Sequence, residues 1–305
     1  MLQRIRDNLR TVIRGKEEKI DLLLAALLAE GHVLLEDMPG LGKTTLAKAL
    51  AVSLSAEFHR VQFTADLLPT DVLGGSVYNA TQGTFSFSRG PIFTNILLAD
   101  EINRASPRTQ SALLEAMAER QVTIEGTQYD LPPLFMVLAT QNPIEFHGTY
   151  PLPEAQLDRF LIRMSLGYVD RETELQILFD QSNGHPLTRL EAVATLDEIA
   201  ELRRQVRETH VDDAVGRYIV ELVGATRQHD QVLMGSSPRG ALGLFRLCKA
   251  QAFTAGRDHV TPDDVQGCAI PVLAHRIVLH AKARYGGVPA EAVIEQVLDL
   301  VPVPT

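Results

Sequence analysis

The chain has 305 residues, a formal net charge of −9, an apolar fraction of 45% and a charged fraction of 22%. That length suits one large domain and a smaller one, at about 100–200 residues per domain, and both fractions are ordinary for a folded globular protein. The negative charge argues against tight nonspecific binding to DNA or RNA. Two cysteines, Cys248 and Cys268, in helical and apolar surroundings, exclude a disulfide framework and favour a cytoplasmic location.

Two helices are predicted within residues 2–29, broken at Arg14-Gly15. Their charges, Arg4, Arg6, Asp7, Arg10 and Arg14, are spread through an amphipathic pattern unlike that of a signal peptide. The longest uncharged apolar run there, residues 22–29, is far short of the roughly 18 residues that span a membrane.

An apolar run at 32–35 then reads as a buried strand. It leads into Glu36-Asp37-Met38-Pro39-Gly40-Leu41-Gly42-Lys43-Thr44-Thr45, and residues 44–54 have the composition of a helix. Strand, glycine-rich loop, Gly-Lys-Thr and helix is the arrangement that wraps backbone N–H groups around a triphosphate. The triphosphate would be contacted by Met38, Pro39, Gly40, Leu41, Gly42, Lys43, Thr44 and Thr45. Lys43 would reach the β- and γ-phosphates and Thr44 would ligate Mg²⁺. The usual pattern wants glycine where this chain has Asp37, so Gly40 and Gly42 must supply the positive φ or the close approach to phosphate.

Further strands are predicted at 58–63, 95–100, 134–140 and 160–166, alternating with helices up to about residue 167. Such alternation implies an α/β fold, a mostly parallel sheet covered by helices on both faces. The strand Ile96-Leu97-Leu98-Ala99 ends in two adjacent carboxylates. Successive strand residues point to opposite sides, which separates their tasks. Asp100 is expected to hold Mg²⁺ opposite Thr44, and Glu101 to polarise the water that attacks the γ-phosphate.

Residues 74–88 and 121–131 each read as a hairpin inserted into this pattern. From Asp170 onward there is no convincing strand, only helical periodicity. Ser237-Pro238 and Thr261-Pro262-Asp263-Asp264 mark two helix starts, and Pro271 is expected to kink or split the second helix. The expected division is therefore a nucleotide-binding domain over 1–168 and a helical lid over 169–305. The histidines give no metal signal: His275 and His280 are five apart, off the i, i+4 spacing, with no cysteine beside them.

The phosphate loop, L-L-A-D-E-I-N-R-A at 97–105, A-T-Q-N-P at 139–143 and L-P-E-A-Q-L-D-R-F at 152–160 together resemble the MoxR family of AAA+ ATPases. The resemblance extends from V-I-R-G-K-E near Val12 to S-S-P-R near Arg239. It implies a P-loop AAA+ core followed by an all-α lid. It also implies a sensor-1 role for Asn142, an arginine finger at Arg159, a sensor-2 role for Arg239, and an adenine cradle at Val12, Ile13 and Gly15. Asn142 before Pro143 also suits an ordinary turn, and Arg159 after Asp158 also suits a local ion pair. Arg104 is a second candidate for contact across a subunit boundary.

The family further implies a homo-hexameric ring, a partner with a von Willebrand factor A domain, and chaperone-like remodelling of a protein substrate. Hairpins placed as these are would face the pore or the substrate, with Phe85 and Phe87 foremost. Three rivals stay open at this point: a nucleic-acid motor, a chelatase-type subunit, and a nucleotide-gated scaffold that barely hydrolyses ATP.

Overall fold

The computed structural model describes residues 1–79, 81, 83–143, 148–182 and 184–304. In chain order the elements begin with α1 (Leu2–Val12), α2 (Glu17–Leu28), β1 (Val33–Glu36), α3 (Lys43–Ser53), β2 (Phe58–Gln62) and α4 (Pro69–Leu73). Then come β3 (Gly74–Asn79), β4 (Thr84–Arg89), β5 (Ile96–Asp100), α5 (Pro107–Glu119), β6 (Gln121–Ile124), β7 (Thr127–Asp130) and β8 (Met136–Gln141). The remainder is α6 (Glu154–Leu157), β9 (Ile162–Met164), α7 (Arg171–Ser182), α8 (Leu196–Glu208), α9 (Asp213–Thr226), β10 (Val232–Met234), α10 (Pro238–Thr254), α11 (Pro262–Leu273), β11 (Val278–Leu279), α12 (Ala281–Tyr285) and α13 (Ala290–Leu300). The chain forms two compact units that interleave: residues 1–20, 32–152 and 165–199 make the first, and 21–31, 153–164 and 200–305 the second.

The first unit is built on a parallel sheet in which its strands follow the order β2-β5-β8-β1. Val33, Leu34, Leu35, Ile96, Leu97, Leu98, Met136, Val137 and Leu138 are fully buried. Such continuous apolar runs, rather than alternating ones, are what a sheet covered on both faces requires. Parallel register brings the carboxyl ends of all these strands to one edge, where ligands bind in open α/β sheets.

The two expected hairpins form, β3 with β4 and β6 with β7, both antiparallel. The β6–β7 turn, Glu125-Gly126, has φ of 51° and 82°, the double positive φ that two-residue hairpin loops need. Positions 80 and 82, within the stretch 74–88 expected to form the first hairpin, lie outside the described residues. Ring stacking joins the hairpins: Phe87 lies 4.1 Å from Tyr129, while Ser76 Oγ donates to Glu125 Oε2 at 2.8 Å.

The second unit is mainly helical. Leu244, Leu247 and Cys248 of α10, Val265, Cys268 and Val272 of α11, and Val293, Ile294 and Val297 of α13 fill its core, at the three- and four-residue spacing of a helix face. The expected helix starts hold. Ser237 Oγ accepts the amide of Arg239, and Asp264 Oδ2 accepts the amide and the hydroxyl of Thr261 at 2.8 and 3.0 Å. Helix α11 includes Pro271 in its last turn and stops at Leu273, so the proline does not split it.

The expectation of no strand beyond Asp170 is corrected by β10 and β11, which pair antiparallel. Strands of three and two residues are too short to show any alternation in the sequence.

Candidate functional site

At the end of β1 the chain enters the glycine-rich loop and then α3, whose N-cap is Gly42. Gly40 and Gly42 have φ of 85° and 88°, and a Cβ built on either would meet nothing within 4 Å. These positions are therefore glycine because of backbone conformation, not for lack of space. The α3 N-terminus offers the unpaired amides and positive dipole end that favour a phosphate.

Asp37 does not intrude on the loop. Its carboxylate is buried and accepts from Ser165 Oγ at 2.6 Å, the Leu166 amide at 2.7 Å and the Gly167 amide at 3.0 Å. The departure from the usual glycine thus ties the phosphate loop to residues 165–167. Lys43 Nζ donates to the carbonyls of Asp37 and Met38 at 2.7 and 3.2 Å. Burial draws this ammonium below its ordinary 10.5, while the charges of Asp37, Asp100 and Glu101 work the other way.

The paired acids sit across the cleft. Asp100, at the end of β5, accepts from Arg60 Nε and Nη2 at 3.0 and 2.7 Å through Oδ2, and from Thr140 Oγ1 at 2.6 Å through Oδ1. The strand stops there. Glu101 has φ 56° and ψ 49°, a left-handed conformation. The sequence argument that the two carboxylates point to opposite sides is corrected by this turn, since alternation needs extended backbone at both residues. Both line one cleft of about 350 Å³ together with Lys43, Thr44, Thr140 and Asn142. Glu101 Oε2 accepts from Gln62 Nε2 at 2.8 Å and Arg104 Nη1 at 3.0 Å, and the Glu101 amide donates to Thr140 Oγ1. Arg104, read as a candidate for contact across subunits, is thereby engaged within its own chain.

Asn142, the residue after β8, is buried in the same cleft. Its place beside Asp100 follows from register: β8 pairs with β5 through Ala99 and Ala139, and with β1 through Gln141 and Glu36.

Thr44 and Asp100 supply hard oxygen donors. Asp100 keeps lone-pair capacity beyond the bonds from Arg60 and Thr140. This suits Mg²⁺, which takes one or two protein oxygens and completes its shell with phosphate and water. Among the described residues no group of three His, Cys, Asp or Glu side chains could hold a metal unaided.

Next to the loop lies a cavity of about 470 Å³, lined by Val12, Ile13, Pro39, Gly40, Leu41, Gly42 and Thr45. Leu166, Gly167, Tyr168, Ile177, His185 and Pro186 close its other walls. Its mixed apolar lining and contact with the phosphate loop fit a base and sugar. Gly15 and Met38 are not among its walls: Gly15 turns the chain at φ 64° against Thr173, and Met38 contributes its carbonyl to Lys43.

Arg159 and Arg239 belong to the second unit. Arg159 follows α6, and its side chain makes no hydrogen bond or ion pair with another described residue. The local pair with Asp158 is absent because Asp158 is occupied elsewhere, by Arg276, Ser237 and Arg239. Arg239 Nη1 reaches Asp158 Oδ2 at 3.3 Å from the first turn of α10.

Arg60, Gln62 and Thr140 are site residues that sequence reasoning missed. Thr140 stood in a motif already singled out, but Arg60 and Gln62 resemble solvated polar residues of an edge strand. Among the described residues, no helix is long and apolar enough to cross a membrane. Cys248 and Cys268 are free and buried.

The sheet, the loop at its carboxyl edge and the cleft define a P-loop nucleotide-binding fold. Residues 32–162 match the family model described as ATPase family associated with various cellular activities (AAA), and residues 224–297 match the AAA lid domain. An uncharacterised protein YeaC of Bacillus subtilis is 50% identical over 98% of this chain and 93% of its own. Chaperone MoxR1 of Mycobacterium tuberculosis is 39% identical over 99% of this chain and 82% of its own. Protein MoxR of Paracoccus denitrificans is 33% identical over 97% and 94%. The crystal structure of a proposed ATPase from Cytophaga hutchinsonii superimposes with a TM-score of 0.93 at 40% identity, covering 99% of this chain and 94% of that one. The chain belongs to the MoxR-type AAA+ ATPases, with an α/β AAA+ core and a helical lid.

Proposed function

We propose that this chain is a Mg²⁺-dependent ATP hydrolase of the cytoplasm. It acts as a homo-hexameric ring that remodels or matures partner protein complexes, together with a protein bearing a von Willebrand factor A domain. The observation that best supports hydrolysis is the convergence of Lys43, Thr44, Asp100, Glu101 and Asn142 on one cleft at the N-terminus of α3. The chaperone name of one relative supports the remodelling role. The functional division at residue 168/169 is part of the same proposal.

The chemistry is an in-line attack of water on the γ-phosphate. Lys43 exchanges its two loop carbonyls for β- and γ-phosphate oxygens, and the α3 amides meet the remaining charge. Thr44 and Asp100 would hold Mg²⁺, which neutralises charge on the β- and γ-phosphates when bound. Glu101 takes the proton of the attacking water, and Asn142 orients that water. Gln62 and Arg104 fix one oxygen of Glu101, so the base enters the reaction already aimed. Arg159 from a neighbouring copy grips the transferring phosphoryl group, and Arg239 contacts it from the lid. Val12 and Ile13 pack against adenine. The hairpins carry Phe85, which is 71% exposed, toward the substrate.

A nucleotide-gated scaffold is the reading that Asp37 invited. That carboxylate is taken up by residues 165–167, and the acid pair is in place, so the geometry favours turnover.

The test is ATPase rate per protomer against protein concentration, for the wild type, Glu101→Gln and Arg159→Ala. The expected rate climbs with concentration, is lost in each variant, and returns when the two are mixed, because an intact Glu101 then meets an intact Arg159. A rate indifferent to concentration and to Arg159 would end the ring mechanism.

A further inference from the structure

One buried side chain holds the backbone on both sides of Arg159. The side chain of Arg276 is 2% exposed, and the residue lies 118 positions beyond Asp158, in the same compact unit. Its Nε donates to Asp158 Oδ1 at 2.9 Å. Its Nη2 donates to the carbonyls of Asp158 and Phe160 at 3.3 and 2.5 Å, and its Nη1 to the carbonyls of Leu161, at 3.1 Å, and Val272. The planar fork of a guanidinium is the one side chain that can reach so many acceptors at once.

Burying that charge is costly unless it is paired and hydrogen-bonded, and an apolar residue would fill the space at less cost. The cage also takes the carboxylate of Asp158 out of reach of its neighbour. Both oxygens are occupied: Oδ1 by Arg276, and Oδ2 by Ser237 Oγ at 3.0 Å and Arg239 at 3.3 Å. Asp158, the natural local counter-ion for Arg159, is thereby kept from it, and the Arg159 guanidinium makes no bond with another described residue.

We propose that Arg276, with Asp158, is the positioning pair for Arg159. It fixes the backbone around that arginine and occupies the adjacent carboxylate, leaving the Arg159 guanidinium available to a second copy of this chain. The inference rests on the reading of Arg159 as a residue acting in trans on ATP.

Arg276→Lys keeps a buried cation but replaces the fork with a compact ammonium that cannot serve all these acceptors. Its kcat is expected to fall on the order of ten- to a hundredfold through misplacement of Arg159, with KM for ATP and affinity for a fluorescent ATP analogue unchanged. Mixing it with Glu101→Gln restores hydrolysis, because that mixture again pairs an intact Glu101 with a well-placed Arg159. Mixing it with Arg159→Ala restores nothing. Should Arg276→Lys not fold, judged by circular dichroism and thermal melting, Asp158→Asn keeps an oxygen for Arg276 and carries the same mixing test.

Failure to be restored by Glu101→Gln, in a folded variant, overturns the proposal by placing the defect in the variant's own active site. A folded Arg276→Lys with wild-type kcat beside an inert Arg159→Ala removes this proposal alone. A wild-type rate in Arg159→Ala removes the finger reading, and this proposal with it.

Discussion

Arg60 donates through both Nε and Nη2 to a single oxygen of Asp100, Oδ2, at 3.0 and 2.7 Å. The other oxygen is fixed by Thr140, so the carboxylate proposed to hold Mg²⁺ is oriented from two strands flanking its own. Supporting residues of this kind commonly cost about 10–100-fold in metal affinity or activity when removed. Arg60→Ala is expected to raise the Mg²⁺ concentration needed for half-maximal hydrolysis by about that factor while leaving the fold intact. Initial rates across a Mg²⁺ titration measure it, and an unchanged titration would remove Arg60 from the site.

Asp37→Gly restores the common phosphate-loop pattern, yet it should harm the protein. The change deletes the acceptor of two amides and a hydroxyl; the Leu166 amide is the buried one, and an orphaned buried donor costs about 1–3 kcal/mol. Leu166 and Gly167, the owners of those amides, also wall the cavity beside the loop. The expected outcome is a lower Tm together with weaker binding of a fluorescent ATP analogue. Thermal melting and equilibrium binding on one preparation decide it. A variant of wild-type stability would mean that Asp37 is not what ties the loop down.

His275 is fully buried, and burial first, then the charge of Arg276, hold its imidazole well below the ordinary 6.5. The unfolded chain therefore takes up a proton near pH 6.5 that the folded chain refuses. This contribution to stability is complete above pH 6.5 and is lost progressively as pH falls below it, toward the depressed folded value. Melting curves between pH 8 and 5 should show a decline on the acid side that His275→Gln flattens. A decline of equal steepness in the variant would assign it to other groups.

The aromatic residues of the first hairpin divide their work. Phe87 stacks on Tyr129 and meets Phe93 edge-on at 5.7 Å, so Phe87→Ala should lower stability by about 1–3 kcal/mol, burial and ring pairing together. Phe85, resting on Tyr78 at 5.2 Å, is exposed, and Phe85→Ala should stay within about 0.5 kcal/mol of wild type. Urea unfolding of both variants is the measurement. Equal losses would contradict the division.

The residues that the sequence placed at the site with least effort are those whose neighbours in the chain explain them. The loop from Gly40 to Thr44 sits between a buried strand and a helix, and the acid pair closes an apolar run, so both announce themselves locally. Asn142 follows from its strand. What could not be read depends on distance along the chain: the partners of Asp37 lie about 130 residues away, and Arg60 meets Asp100 across a register that only the folded sheet supplies. Glu101 was misjudged for a different reason. Strand alternation does not carry past Asp100, and a single left-handed residue redirects the Glu101 side chain without any glycine to mark it. Likewise β10 and β11 are held by partners rather than by propensity.

That left-handed turn at Glu101 has one more implication. A non-glycine residue in this conformation carries about 1–2 kcal/mol of backbone strain, which glycine would relieve. Position 101 is thus a place where the substitution that most relaxes the backbone also deletes the proposed base. Screening this protein for thermal robustness alone would drift toward catalytically silent variants there, and a search for sturdier forms has to score turnover alongside melting.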